Sequence, residues 1–363
     1  MTNKLKCIVH VVQHLAPGGL ESLALNMLAF SEPEQRVLIV SLEGTKLESI
    51  ANWPKLAQYQ DQLIFLNKPA GCSLKTLMQL YKLFNVLQPH TVHTHHIGPM
   101  LYGAVAARLA GVSNRIHTEH DAWHLNSRKH RSLQKVALNV ASPHLVADAT
   151  LVGDQISRHF NYKNITVIKN GVDCQQFKPG SKFLARQTHK LPTNVTLVGT
   201  AGRLEKVKGQ DVLINAMPLL NSDIHLVIAG CGNERTRLER QARALGVSHR
   251  VTFLGLVDDM PRFYQSLDLF CLPSRSEGFP LSTLEAQACG IVTIATNVGA
   301  SGETLDPDSG LLVNSENHQE LASAIQQALK DSDSANPRSF VLNQHDIRQM
   351  IVAYNSLTKE KSA

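Results

Sequence analysis

Short apolar runs recur along the chain, each followed by a stretch whose apolar positions fall at helical spacing. In the first half the runs are Cys7–Val12, Arg36–Ser41, Gln62–Leu66, Thr91–Thr94, Asn114–His117, Ala149–Gly153 and Thr166–Lys169. In the second half they are Val195–Ala201, His225–Ala229, Val251–Leu254, Leu267–Leu272, Ile291–Ala295 and Gly310–Val313. The spacing predicts helices over Leu20–Phe30, Leu74–Leu87, Met100–Ala110 and Leu133–Ser142, then over Gly209–Leu220, Asn233–Leu245, Met260–Gln265, Leu281–Cys289 and His318–Lys330. Apolar strands alternating with helices predict parallel sheets covered on both faces. About six strands per half favour two doubly wound domains over one large sheet. An Asn170-Gly171 turn places the break after residue 168, giving domains 1–168 and 169–340. After a polar stretch ending at Pro337, Ile347, Met350, Ile351 and Tyr354 at helical spacing predict a last helix within about 341–363.

Composition narrows the class. With 363 residues and 43% hydrophobic content the chain has ample core for two domains. No run approaches the roughly 18 apolar residues of a membrane span. The start, Lys4 to Val12, reads as a first strand and not as a signal peptide. Six cysteines without a CxxC pair argue against a disulfide or zinc framework and for reduced thiols in the cytosol.

Charge is uneven. Residues 1–168 carry 16 Lys+Arg against 10 Asp+Glu, whereas 169–363 carry 20 of each, so the whole +6 lies in the first half. The densest cluster, Ser127-Arg-Lys-His-Arg131 to Lys135, fits an anionic membrane surface or a solvated helix start. No aromatic residues interleave with the cations and no nucleic-acid motif is present, so nucleic acid is not an expected partner.

The chemistry concentrates in Ser274-Arg-Ser-Glu277-Gly278-Phe279-Pro280-Leu281-Ser-Thr-Leu-Glu285. A strand ends in a Pro/Ser/Gly loop and a helix starts near Leu281, so backbone N–H groups there favour an anion. Glu277 and Glu285 cannot bind that anion, but they can accept hydrogen bonds from hydroxyls. A ligand with both phosphate and sugar, a nucleotide-sugar, satisfies both. Gly202-Arg203-Leu-Glu-Lys-Val-Lys208-Gly209 sits between a strand and a helix and brings two cations to one loop, which suits a diphosphate. Alone, Arg203 and Lys208 would read as surface cations worth about 0–1 kcal/mol in salt bridges. Gly230-Cys-Gly232 is a weak phosphate-loop signal that lacks the third glycine of a dinucleotide fingerprint. Gly18-Gly19 allows a ligand close to the backbone, although a tight turn needs only one of the two. Histidines crowd His93, His95, His96, His117 and His120, but their spacing fits no metal motif. Asp306-Pro-Asp308 reads as a turn.

On these residues the chain resembles the retaining glycosyltransferases of family 4, "group 1", from Pro17-Gly-Gly-Leu-Glu21 to the terminal helix. The most specific part is Glu277-x7-Glu285 with Asn297-Val-Gly-Ala300, Glu303 and Gly310-Leu-Leu-Val313. The resemblance implies the GT-B fold: two Rossmann-like domains facing across a cleft, with the last helix crossing back to the first. It implies donor binding by Gly18, Gly19, Gly202, Arg203, Lys208, Gly230, Val257, Glu277, Gly278, Phe279, Pro280, Leu281 and Glu285, with Glu285 on the ribose. It implies acceptor contacts from Gly19, His95, His96 and His120, and catalytic roles for His120, Arg203, Lys208 and Glu277. No metal or other cofactor is expected. The implied reaction moves a hexose or N-acetylhexosamine, with retention, from a nucleotide-sugar (UDP favoured) to a lipid-linked or saccharide acceptor in surface polysaccharide or glycolipid assembly. The expected setting is the cytoplasm or the inner membrane face. Two other classes stay open: a nucleotide-sugar epimerase or hydrolase of the same architecture, and a catalytically silent nucleotide-sugar-binding subunit.

Overall fold

The computed structural model of the chain describes residues 5–121, 125, 127–162, 165–331 and 336–358. Lys4 of the expected first strand, residues 332–335 of the polar stretch and the last five residues of the terminal segment lie outside them. The chain separates into two compact units, one running to Asn170 and resuming at Met350, the other spanning Gly171–Gln349.

The first unit runs β1 (Lys6–Val12), α1 (Gly19–Ala29), β2 (Gln35–Ser41), α2 (Lys46–Asn52), β3 (Leu63–Phe65), α3 (Leu74–Leu87) and β4 (Thr91–His95). It continues with α4 (Ile97–Pro99), a π-turn at Met100–Ala104, α5 (Val105–Leu109), β5 (Asn114–Glu119), α6 (Arg128–Ala141), β6 (His144–Ala147), α7 (Thr150–His159) and β7 (Ile165–Val167). All seven strands are parallel, in the order β3-β2-β1-β4-β5-β6-β7. Side-chain alternation in β1 splits the core. Val9 and Val11 pack with Leu80 and Phe84 of α3 and Ala106 of α5, while Val12 packs with Ala24 and Leu25 of α1.

The second unit runs α8 (Lys182–Thr188), β8 (Thr196–Ala201), α9 (Gln210–Ala216), β9 (Ile224–Ala229), α10 (Arg235–Ala244), β10 (Val251–Gly255) and α11 (Met260–Gln265). Then come β11 (Leu269–Leu272), α12 (Leu281–Ala288), β12 (Thr293–Thr296), β13 (Leu311–Val313), α13 (His318–Asp331), α14 (Pro337–Gln344) and α15 (Ile347–Ser356), whose last turns belong to the first unit. Six parallel strands follow the order β10-β9-β8-β11-β12-β13. Nearly continuous apolar strands and the inner faces of α9, α10 and α13 form one core.

The clearest departure from the sequence reading is at Ala149–Gly153. It is the N-cap and first turn of α7, and the strand is His144–Ala147 just before it. Thr150 and Val152 favour a strand locally. The helix wins because Val152, Gly153 and Ile156 present one buried face, and Gly153 leaves room for the Val167 side chain of β7. The helix over residues 100–110 also starts with a π-turn, and Arg128 begins α6 five residues before the expected start.

Both sheets reverse winding direction once, between β1 and β4 and between β8 and β11. Connections on the two sides of such a point diverge and leave a crevice beyond the strands' carboxyl ends. In the second unit the loops there pack backbone to backbone. Gly230 has φ +136°, its N–H donates to the Gly255 carbonyl at 2.7 Å, and a Cβ added to it would lie 1.9 Å from the Gly202 oxygen. Gly230→Ala is therefore expected to cost about 2–3 kcal/mol of stability. Urea denaturation checks this, and a midpoint equal to wild type would contradict the close approach.

Candidate functional site

In the second unit the switch point gathers Lys208 and Glu277. Gly209, at φ +66° and with no room for a Cβ against the Pro273 carbonyl, turns the loop after β8 against the loop after β11. Lys208 Nζ then lies 2.7 Å from Glu277 Oε1, which also accepts from Ser274 Oγ at 2.6 Å. Glu277 is only 7% exposed, so its charge is balanced by a cation and a hydroxyl held in place. Arg275 ties the two loops together. Its guanidinium is bidentate on Asp211 at 2.8 and 2.9 Å, pairs with Glu316, and bonds the Lys206 carbonyl. The Asp211 carboxylate and hydrogen bonds hold the Arg275 cation more firmly protonated than usual.

Glu285 lies on the second turn of α12 and accepts from Tyr264 Oη at 2.7 Å. Burial first, and the neighbouring Glu285 charge second, push the Tyr264 hydroxyl well above its ordinary range, so it stays a donor. The helix is fixed from behind by buried amide and hydroxyl contacts. Thr283 Oγ1 bonds Thr304 Oγ1 at 2.7 Å, and Gln287 bridges the Thr304 carbonyl and the Asp306 N–H at 2.7 Å each. Its N-cap, Pro280, supplies no side-chain cap. The first-turn N–H groups of α12 thus start beside Glu277 with no capping side chain.

Most of the other expected donor residues lie on the neighbouring loops of this unit, whereas Gly18 and Gly19 lie in the first unit. Gly278 and buried Phe279 continue the loop from Glu277, and the Gly278 carbonyl accepts from Ala300 N–H at 3.0 Å. Gly202 and Gly230 form the adjoining loop tips, and half-buried Val257 follows β10. Leu281 opens α12. Arg203 points elsewhere. It shares the Lys208 loop, but its side chain is 65% exposed and pairs with Glu205 at 2.8 Å, not with Glu277. Asp306-Pro-Asp308 is the expected turn, closed by Gly310 N–H on the Asp306 carbonyl at 2.8 Å.

The first unit's switch point holds imidazoles in place of charges. His10 Nδ1 is 3.2 Å from His95 Nε2, His95 Nδ1 is 3.1 Å from His120 Nε2, and His120 Nδ1 is 3.1 Å from Asp148 Oδ2. Asn170 Nδ2 donates to the same oxygen at 2.9 Å. Since a carboxylate accepts, His120, His95 and His10 each donate from Nδ1 toward it, and His120 and His95 accept at Nε2. His93 instead meets Thr118 Oγ1 at 2.7 Å, and Thr118 meets Tyr354 Oη of α15 at 3.0 Å. One nitrogen each from His10, His93 and His95 lies within 4.8 Å of the others. That set has the composition of a metal triad, and within it His10 Nδ1 and His95 Nε2 are joined in the hydrogen-bond series while His93 Nε2 meets Thr118. The series also takes both nitrogens of His120, which is 8% exposed, so a sugar contact there would have to displace His95. His96 follows at φ +64°, a strained conformation for a non-glycine residue, with Asp121 at 3.8 Å. At the end of β1, Gly18 caps α1 and Gly19 opens it. The Glu21 carboxylate folds back over Gly18 and pairs with His14 at 3.3 Å.

Sequence reasoning missed His10, Asp148, Asn170, Tyr264, Arg275 and the Thr283–Gln287–Thr304 set. A lone His inside Cys7–Val12 was a usable signal for the first. The others carry none, because each partner is distant in sequence.

Comparison with known proteins agrees with the fold. Residues 17–176 match the profile of Glycosyltransferase Family 4, and residues 181–340 that of Glycosyl transferases group 1. The chain belongs to the family-4, group 1 glycosyltransferases. It is 33% identical over 258 residues to a D-inositol 3-phosphate glycosyltransferase of Rhodococcus opacus, covering 67% of this chain but 54% of that protein. A protein of the same name from Corynebacterium urealyticum is 30% identical over 77% of this chain and 68% of its own length. A GDP-mannose-dependent monoacylated alpha-(1-6)-phosphatidylinositol monomannoside mannosyltransferase of Corynebacterium glutamicum is 27% identical over 86% of each. Among solved structures, Anabaena Alr3699/HepE in complex with UDP superposes with TM-score 0.83 at 22% identity, over 97% of this chain and 99% of that one. The fold of this family-4 chain is thus GT-B, with Rossmann-like units of seven and six strands.

The buried rings carry a pH consequence. Burial pushes His10 down to about 4 from an ordinary 6.5, and His93 and His95 well below 6.5 by burial first and neighbouring imidazoles second. Their neutral forms are favoured by folding, so this stability is complete above pH 6.5 and is lost as pH falls toward 4. His10 alone accounts for roughly 2–3 kcal/mol. Melting temperature is expected to fall by about 5–10 °C across that window. A flat profile from pH 6.5 to 4 would mean that the rings fold already charged.

Proposed function

We propose that the chain transfers a hexose or N-acetylhexosamine from a nucleoside-diphosphate sugar to a hydroxyl of a lipid-linked or saccharide acceptor, with retention of anomeric configuration. The observation that carries the reading is Lys208 and Glu277, 69 positions apart, brought to 2.7 Å beside the uncapped start of α12. A cation and free N–H groups suit the diphosphate, and the two glutamates suit hydroxyls. Glu285, steadied by Tyr264, takes the ribose; Glu277 takes hydroxyls of the transferred sugar as Lys208 turns to the phosphates. Arg203 leaves Glu205 for the diphosphate, a rotation its exposure permits.

In this reading negative charge builds on the leaving diphosphate as the sugar–oxygen bond breaks. Lys208, Arg203 and the α12 amides stabilise that charge, and the departing phosphate takes the acceptor's proton on the same face of the sugar. No protein carboxylate needs to form a covalent intermediate. The cations take the part a divalent ion would play, so the reading calls on no metal. The UDP complex of the Anabaena protein favours a uridine donor. The GDP-mannose dependence of the Corynebacterium glutamicum relative makes guanosine the rival. Inositol-bearing acceptors in the relatives' names support a polyol or sugar hydroxyl, and assembly of a surface glycolipid or polysaccharide is the fitting setting.

Thermal stabilisation by UDP-, GDP- and ADP-sugars tests the donor site, with wild type beside Glu285→Ala and Lys208→Ala. One donor class should stabilise wild type and not Glu285→Ala. With that donor, Lys208→Ala should lower kcat by about 10²-fold, near 3 kcal/mol, and EDTA should leave turnover unchanged. No shift with any nucleotide-sugar would refute the assignment.

A further inference from the structure

Three helices of the first unit combine exposed apolar side chains with sequences that hold no Asp or Glu. Between Asp61 and Glu119, and again between Asp121 and Asp148, the sequence holds no Asp or Glu, while it holds five and four Lys or Arg. The two acids in the gap are turned to other uses. Glu119 is fully buried against His117 and Gln134, and Asp121 lies near His96. The second unit, Gly171–Gln349, holds 17 Lys or Arg to 19 Asp or Glu and has no such bias.

Three helices built from these stretches lie side by side, α3 packing on α5 and α5 on α6. On α3 the inward face is Thr76, Leu80 and Phe84, yet Leu74, Met78 and Tyr81 make a second apolar row facing water, with Leu74 79% exposed. Exposed Lys75 and Lys82 flank that row. On α6 the buried positions are Gln134, Ala137, Leu138 and Ala141, and the outer row is Leu133, Val136 and Val140, with Val136 60% exposed. Lys129 continues that row and Lys135 borders it. On α5, between them, Leu109 and Arg108 are exposed.

Helices that already bury one apolar face have no folding reason to carry another on the water side. Cations beside the second rows narrow what covers them. A second copy of this chain would bring cation to cation. Nucleic acid would meet the charge but not the aliphatic rows, which offer no stacking surface beyond Tyr81. An anionic bilayer surface meets both, headgroups pairing with the lysines while Leu, Met and Val enter the acyl boundary. We propose that the α3–α5–α6 face docks the protein on anionic lipid. The proposal is independent of the donor assignment and is read without activity.

The test is flotation of the full chain with vesicles of phosphatidylcholine alone, or with about a third phosphatidylglycerol. Binding is expected only to the anionic vesicles and is expected to be released by high salt. Lys129→Ala/Lys135→Ala should weaken it by about fivefold per cation removed. Leu133→Ser/Val136→Ser should weaken it at low salt as well, because the acyl contact is lost. Both variants alter exposed positions, so their melting temperatures and donor-induced shifts should match wild type. Wild type that ignores anionic vesicles, or variants that float as well as wild type, would overturn the proposal. Tighter retention on a DNA duplex than on the vesicles at equal salt would overturn it in favour of nucleic acid.

Discussion

The reversal of winding between β8 and β11 is the constraint on which the candidate donor site depends. Strands on either side send their connections away from each other, and the loops after them flank a crevice beyond the strands' carboxyl ends. Lys208 and Glu277 meet only because those two loops flank the same opening. Neither residue is informative in isolation, since surface Lys–Glu pairs contribute little. Here the carboxylate is nearly buried, and removing either partner would strand a charge. The pair therefore stays assembled until something better solvated or better charged replaces one member.

Such a replacement works only if the surroundings hold still. The Arg275–Asp211 fork binds the Lys208 loop to the Glu277 loop, and close packing of Gly209 on Pro273 and Gly299 on the Glu277 carbonyl removes their freedom. Tyr264 holds Glu285 from a different helix, and the Thr283–Gln287–Thr304 contacts lock α12 itself. The charged groups that would touch a ligand are thus few, while the polar groups that aim them are buried and numerous. That distribution suits catalysis by orientation and charge stabilisation.

The alternation of strands and helices, the two-sheet architecture and the Glu277-x7-Glu285 setting were legible because each is local: a period, a turn residue or a fixed spacing. The loop carrying Arg203 and Lys208 was equally legible, but the direction of the Arg203 side chain was not, because Glu205 competes for it two residues away. Ala149–Gly153 was misread because Thr150 and Val152 favour a strand, while packing against β7 decides for a helix. Two short helices, α2 and α8, were not expected from the sequence. The Thr45-x-x-Glu48 pattern was an unused signal for α2, whose Thr45 accepts from the Glu48 N–H. By contrast α8 hides its period, exposing Phe183 and Leu184 while burying Ala185 and Arg186. The supporting network around α12 left no sequence trace, since hydrogen bonds between residues tens of positions apart have no period.

The two switch points solve one problem with opposite chemistry. In the second unit, ions are tolerated because Lys208 and the loops around it remain partly open to water. In the first unit, His10, His93 and His95 project from β1 and β4 at the middle of a seven-stranded sheet, where an isolated charge would be prohibitively costly. Neutral imidazoles avoid that cost, because each ring both donates and accepts and can be linked in series. A series of identical links has no preferred direction by itself. Asp148, held by Asn170 at the far end, supplies it: the carboxylate accepts from His120, and every ring behind must then donate toward it. Orientation at His95 and His120 is thereby set from residues that need not touch a ligand, as Arg275 and Tyr264 set it in the other unit.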